Sequence, residues 1–342
     1  MTRPVVLHVT ECYEGGVSLA VRAMARNTPE FEHILLASGR DVESELRSGV
    51  FERIIKLRGS LLRRTRKVGL LTVESGAAVV HAHSSWAGVY ARLLRLPVPV
   101  VYQPHGYAFE KPRFLQRVTF RSAERILAPR ADRVAVLSQR EALLAREVGP
   151  RSRIFPVPNV PTVEIARGQR AFPKRPTVVM VGRLVDQKDP GFFAAVLEHV
   201  QRVMPEARGL WIGDGEVGHR EVLEARGIEV TGWLDPHEVT QHLDRAAIYV
   251  HSARYEGFPL SVLDAAARGL PVIARDIPTF DQTALTRAAT VPALADAAVH
   301  VLSNEQEWCR ERARTARLID EMNPVAQHDA LIDLWDFGGG GR

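Results

Sequence analysis

Two carboxylates eight positions apart, Glu256 and Asp264, flank the turn Gly257-Phe258-Pro259 and the start of an apolar run. Gly257 and Pro259 break regular structure, while Leu260, Leu263, Ala266 and Ala267 recur at helical spacing. A loop therefore feeds a helix N-terminus, where unpaired N–H groups and the positive end of the dipole suit a phosphate. Glu256 stands in the loop and Asp264 about one turn inside the helix, so both can address one ligand. Carboxylates also accept hydrogen bonds from sugar hydroxyls. Phosphate and hydroxyl recognition together point to sugar-nucleotide chemistry. Gly269 then stops the helix, and 271–274 reads as a buried strand.

Upstream, Arg183 and Lys188 follow one strand-like run and precede a helical one, so their cations can meet a diphosphate held near backbone amides. A departing nucleoside diphosphate gathers negative charge as its bond to the sugar breaks, and preorganised cations stabilise that charge more than the ground state. Gly15-Gly16, after the first strand, either lets the backbone approach a ligand or simply makes a tight turn. His105 follows another strand and can donate and accept at once, which suits a hydroxyl. Zinc held by His81, His83 and His105 is a rival reading, with no neighbouring cysteine or helical histidine pair to complete the site. Gly213-Asp-Gly-Glu-Val-Gly218 fits the dinucleotide fingerprint and alone would predict NAD. It stands, however, after the second strand of its half rather than the first.

The 255–274 segment resembles the signature of glycosyltransferase family 4, in which Glu, seven residues and Glu surround a Gly-Phe-Pro context. Here the second acid is Asp264, a shorter arm. The resemblance continues in order: 181–188 is similar to the family's diphosphate-binding element, and 210–215 and Thr231-Gly232-Trp233 to the next two strand ends of its donor domain. Residues 81–88 and 103–107 also resemble family sequence. The implied fold is α/β, GT-B, with two Rossmann-like parallel-sheet domains facing across a cleft. The implied activity is retaining transfer of a sugar from a nucleotide-sugar donor to a hydroxyl of a lipid-linked or polysaccharide glycan acceptor. UDP is favoured as the family's commonest donor nucleotide, and no metal or cofactor is implied. The acceptor hydroxyl would attack on the leaving group's side, and the departing phosphate would take its proton.

By the same resemblance, Arg183, Lys188, Glu256 and His105 form the catalytic set. Donor binding falls to Gly15, Gly16, Gly182, Gly213, Asp214, Trp233, Leu234, Gly257, Phe258, Pro259, Leu260 and Asp264. Glu256 would contact the donor sugar, Asp264 the ribose, and His105 the sugar or acceptor. Two departures stand out. Asn159-Val160 replaces the usual Asn-Gly, and Asp276-Ile-Pro-Thr-Phe280 replaces a glycine-rich loop after Ala274. They leave open a catalytically weak GT-B scaffold subunit acting with a partner transferase, or an epimerase or phosphorylase on the same fold.

The elements that must position these residues alternate strand and helix. Apolar runs at 5–9, 34–37, 78–81, 98–102 and 133–137, and again at 177–181, 209–212, 228–231, 248–251 and 271–274, argue two parallel sheets covered on both faces. Five prolines between 155 and 176 mark a linker. The expected domains are 1–165, binding acceptor, and 166–321, binding donor. A helix near 322–337 crosses back to the first, and a disordered tail fills 338–342.

At 342 residues and 46% hydrophobic, the chain can fill two cores, and two distant cysteines build no disulfide framework. Residues 1–9 read as a strand rather than a leader, and no stretch approaches the ~20 apolar residues that span a bilayer. A cytoplasmic protein is expected. Residues 1–165 carry 25 Lys+Arg and 15 Asp+Glu, a net +10 within a total of +5. Arg63, Arg64, Arg66 and Lys67 cluster, and Arg113, Arg117, Arg121 and Arg125 recur as a helical stripe beside Phe114, Leu115, Val118 and Ile126. Such faces can lie peripherally on an anionic membrane; the alternative is a solvated face with Glu110 and Glu124 as partners. Nucleic acid is not expected, since no stacking motif accompanies the charge.

Overall fold

The computed structural model describes residues 3–110, 114–166, 168 and 170–338. Two compact units emerge, one from 1–160 with 323–342 and one from 161–322.

Continuous apolar runs, buried on both faces, make parallel strands of the first unit. In chain order they are β1 (Val5–Thr10), α1 (Gly16–Asn27), β2 (Glu32–Ala37), α2 (Val42–Glu45), β3 (Arg53–Lys56), α3 (Leu61–Glu74), β4 (Ala77–His83), α4 (Ser85–Leu93) and β5 (Val100–Gln103). There follow α5 (Phe114–Leu127), β6 (Arg133–Val136), α6 (Gln139–Val148) and β7 (Ile154–Pro156). Among the described residues the sheet order is β3-β2-β1-β4-β5-β6-β7, all parallel, reversing direction between β1 and β4. Leu7, Val9 and Val80 pack on one face with Val68, Leu71 and Tyr90 of α3 and α4. Val6, Val79 and Val101 face Met24 of α1 and Leu331, Leu334 and Trp335 on the other.

The second unit repeats the pattern with β8 (Thr177–Val181), α7 (Pro190–Val203), β9 (Arg208–Ile212), α8 (Val217–Glu224), β10 (Glu229–Val230) and α9 (Pro236–Arg245). It continues through β11 (Ile248–His251), α10 (Leu260–Ala267), β12 (Val272–Arg275), β13 (Thr286–Ala288), α11 (Val291–Ser303) and α12 (Glu305–Glu321). Its order is β10-β9-β8-β11-β12-β13, parallel throughout the described residues, and direction reverses between β8 and β11. Ligands of such sheets bind outside the carboxyl ends of the strands at that reversal. Several helices start where the sequence supplies a cap: Ser138 for α6, Asp189 for α7, and an Asp235–Glu238 capping box for α9.

The last helix, α13 (Pro324–Trp335), belongs to the first unit, capped by Asn323 and docked through Leu331, Leu334 and Trp335. Arg133 of β6 clamps its end, donating to the carbonyls of Asp333 at 2.5 Å, Leu334 at 2.9 Å and Asp336 at 2.6 Å. A cation on orphan C-terminal carbonyls meets both their hydrogen-bond need and the negative end of the dipole. The proline-rich stretch begins inside structure, since Pro156 ends the edge strand β7, a place proline tolerates. Beyond Val160 the chain is tied to the second unit, where Arg170 donates to the carbonyls of Leu243 at 3.0 Å and Arg268 at 3.2 Å.

Replacing Arg133 by Met keeps the apolar stem and strands three carbonyls. Urea denaturation is expected to show a loss of about 2–3 kcal/mol. An unchanged midpoint would mean that the clamp contributes nothing net.

Candidate functional site

The carboxyl ends of β8 and β11 carry the residues with chemistry. After Val181, Gly182 has no side chain, and an added Cβ would sit 3.2 Å from Cε of Lys188, which folds back over it. Gly213 and Gly215, after β9, press against the same loop. A Cβ on either would overlap the carbonyl of Gly182 or Leu184, and Gly213 has a positive φ of 136°. Trp211 Nε1 donates to the Gly182 carbonyl at 2.8 Å. The first two glycines of the dinucleotide fingerprint are therefore taken up in loop packing at the second strand of the unit, while Gly218 faces open space.

Lys188 Nζ lies 2.5 Å from Oε1 of Glu256, which follows β11. Gln187 Nε2 donates to Oε2 of Glu256 at 3.3 Å and to the Tyr255 carbonyl at 2.9 Å. Thr279 Oγ donates to the Glu256 carbonyl at 2.5 Å, and Ser252 Oγ to that of Lys188 at 2.6 Å. His251 Nε2 stands 3.6 Å from Oε1. Burial pushes the Glu256 carboxyl up, but the Lys188 charge and the contacts with His251 and Lys188 outweigh it and hold the group at about 2. An ionised carboxylate thus persists in a nearly closed setting. Arg183 is exposed on the same loop. Asp189, left-handed at φ 50°, accepts from Arg254 at 2.8 Å and Arg275 at 2.7 Å, which ties the ends of β8, β11 and β12 together.

The turn Gly257-Phe258-Pro259 opens α10 at Leu260, and no side chain caps that N-terminus. Phe258 is buried edge-on to Phe280, with ring centroids 5.9 Å apart. Asp264 has different company from Glu256. Its Oδ1 accepts from the backbone N–H of Thr162 at 2.5 Å and its Oδ2 from the Thr162 hydroxyl at 2.8 Å. Burial raises its pKa to about 6 against those hydrogen bonds. Asp214 accepts from the N–H of Gly215 at 2.8 Å and pairs with Arg220 at 3.1 Å, while Trp233 is exposed and Leu234 half-buried.

In the first unit, Gly15 adopts φ 56°, and its N–H donates to Asp41 Oδ2 at 2.8 Å just before Gly16 opens α1. His105, also left-handed at φ 52°, is half-buried after β5, its Nε2 3.0 Å from His83 Nδ1. Burial lowers its pKa to about 4. Glu141 holds the adjoining turn, accepting from the backbone N–H groups of Gly106 at 2.5 Å and Leu137 at 2.8 Å. Among the described residues, the histidines whose ligand atoms converge are His8, His81 and His83, within 4.8 Å of one another, rather than the set with His105.

The basic faces are corrected in part. Glu124 points inward, pairing with Arg92 at 2.9 Å and accepting from Tyr102 at 2.7 Å, because its side of α5 packs on the sheet. Glu110 pairs with Arg140 at 3.1 Å, and Arg121 and Arg125 share Glu147. Arg113 and the side chains of Phe114 and Leu115 lie outside the described residues. Val118 and Ile126 of α5, and Leu61, Leu62 and Arg63 of α3, are exposed. Among the described residues, no helix is long and apolar enough to cross a membrane.

Sequence reasoning missed Gln187, His251, Thr279 and Thr162. Gln187 sits inside a motif already noted; Thr162 lies 102 positions from its partner and gives no local signal.

Comparison with known proteins bears on the family and the fold. The family described as Glycosyl transferase 4-like domain matches residues 15–160, and that described as Glycosyl transferases group 1 matches 175–304. The chain is 24% identical to an uncharacterized 41.2 kDa protein in the cps region of Klebsiella pneumoniae, over 94% of this chain and 98% of the other. It is 27% identical to the Escherichia coli UDP-Gal:alpha-D-GlcNAc-diphosphoundecaprenol alpha-1,3-galactosyltransferase, over 58% of each chain. Anabaena HepE, solved in complex with UDP and glucose, superposes with a TM-score of 0.79 at 14% identity, covering 97% of this chain and 99% of that one.

Removing Lys188 alone leaves a largely enclosed anion without its cation. Lys188→Ala is expected to lose about 3–5 kcal/mol at pH 7, most of it recovered in Lys188→Ala/Glu256→Gln. Because Glu256 is held below its unfolded value of 4.5, its contribution is full above that pH and is lost as pH falls towards about 2. Urea titrations should therefore show a smaller gap between wild type and Lys188→Ala at pH 3 than at pH 7.

Proposed function

We propose, because this chain is a glycosyltransferase of the family 4 type with the GT-B fold, that it is a retaining hexosyltransferase using a UDP-sugar. Its acceptor is a hydroxyl of a lipid-linked or polysaccharide glycan, bound by the first unit, and its donor is bound by the second. The half-buried Lys188–Glu256 pair at the β8/β11 reversal carries this reading, with the relatives' printed donors as support.

Lys188 and Arg183 supply positive charge where the leaving diphosphate becomes more negative, so their stabilisation is greatest in the transition state. Two cations in place make a metal unnecessary. Glu256, kept ionised by its neighbours, accepts hydrogen bonds from donor-sugar hydroxyls. Ribose hydroxyls can use the lone pairs of Asp264 that Thr162 leaves open. Hydroxyl attack on the leaving group's face, with proton transfer to the departing phosphate, retains the anomeric configuration. His105 orients the sugar or the acceptor. The basic and apolar exposed residues of α3 and α5 rest on an anionic membrane surface on the cytoplasmic side.

Calorimetry with EDTA present, offering UDP, GDP, ADP and NAD, tests the donor: UDP should bind, and Lys188→Ala should lose it. Lys188→Ala and Glu256→Ala should each lower transfer by roughly 10²–10³-fold. Full activity in both would reject the site, and nucleotide binding by none would favour the scaffold reading. Sedimentation with phosphatidylserine vesicles at low salt checks the membrane surface, since screening is weakest there.

A further inference from the structure

Four histidines of the first unit stand in a single hydrogen-bonded file. His33 Nδ1 lies 3.0 Å from His8 Nε2, His8 Nδ1 3.0 Å from His83 Nε2, and His83 Nδ1 3.0 Å from His105 Nε2. They come from β2, β1, β4 and the turn after β5, brought to one sheet face by strand register under Trp335. His8 and His83 are fully buried, His33 nearly so, and His105 alone of the four is half-exposed.

The far end decides the direction of the file. His33 Nε2 is 3.0 Å from the backbone carbonyl of Thr28, a group that can only accept. It is also 3.2 Å from the Thr28 hydroxyl, whose proton is spent on the Met24 carbonyl at 2.7 Å. His33 must therefore carry its proton on Nε2, which leaves Nδ1 bare. In neutral rings the rest follows by exchange of roles: His8 donates from Nε2 and accepts at Nδ1, His83 does the same, and His105 donates from Nε2.

We propose that Thr28, His33, His8 and His83 form a positioning relay that locks His105 as its Nε2–H tautomer, leaving the Nδ1 lone pair as its one hydrogen-bonding site for a ligand hydroxyl. His33, His8 and His83 are positioning residues that act through His105. The ligand is a hydroxyl of the sugar or acceptor, a point that rests on the function proposed above. The left-handed backbone of His105 is strained for a residue with a Cβ, and the ring contact with His83 and the Glu141 grip on Gly106 hold it there. A cation at His8, His81 and His83 would instead claim the His8 Nδ1 lone pair that the relay uses. Their ligand atoms spread to 4.8 Å, more than two bonds of ~2.1 Å from nitrogen to a single zinc can span.

Nuclear magnetic resonance on the ¹⁵N-histidine-labelled full chain tests the relay without any substrate. Expected are through-hydrogen-bond N–N couplings joining His33 Nδ1 to His8 Nε2, His8 Nδ1 to His83 Nε2, and His83 Nδ1 to His105 Nε2, with His105 Nδ1 unprotonated. Loss of any coupling, protonation of His105 at Nδ1, or a stoichiometric transition metal in the purified protein would overturn it. In His8→Phe the file is cut, and His105 should show tautomer exchange. Transfer should then fall on the order of tenfold in kcat with KM little changed. A wild-type His105 spectrum in a folded His8→Phe would also overturn the relay. Couplings present without transferase activity would leave it standing and remove the function proposed above.

Discussion

An ionised carboxylate inside a protein must be met by a cation and filled with donors, or folding becomes too costly. Glu256 imposes that condition on the second unit. Lys188 can meet it only by folding back over Gly182, where any side chain would crowd it. Gln187 and Thr279 then bring the loops after β8 and β12 onto the same acid, and Asp189 cross-links them through two arginines. Much of the region's irregular backbone follows from the need to keep one negative charge dry and accompanied.

Much of this was legible because it is local. The turn before α10, the Gly-Arg-Leu element after β8 and the alternation of strand and helix all lie in short stretches whose spacing carries the message. The edge strands β3, β7 and β13 are three or four residues long, with at most three apolar residues in a row. Their pairing is dictated by neighbours rather than by pattern. Asp264 read as a ligand-facing acid, yet its partner Thr162 lies in a proline-rich stretch that showed no order. Glu124 looked like a surface partner for the arginine stripe, because helical spacing gives a face without saying which side meets the sheet.

The histidine file shows the same limit from the other direction. His81 and His83 are visible as a pair on one strand face, but the partners that give His83 a direction come from β1 and β2. His8 stands beside His81 and Val6 beside His33 only once the strands are in register. A sheet buried on both faces ordinarily excludes polar groups. Here four histidines are admitted in a line, each satisfying the next, and the line ends on a backbone carbonyl.

The return of α13 makes the first unit discontinuous, with the second unit inserted between Val160 and Asn323. During synthesis, residues 1–160 emerge before the inserted unit yet lack the helix that covers Val6, Val79 and the histidines. The inserted unit emerges later but is complete in itself. The first unit therefore waits with an apolar sheet face uncovered while the inserted unit closes, and only α13, made after that unit, gives it a finished surface.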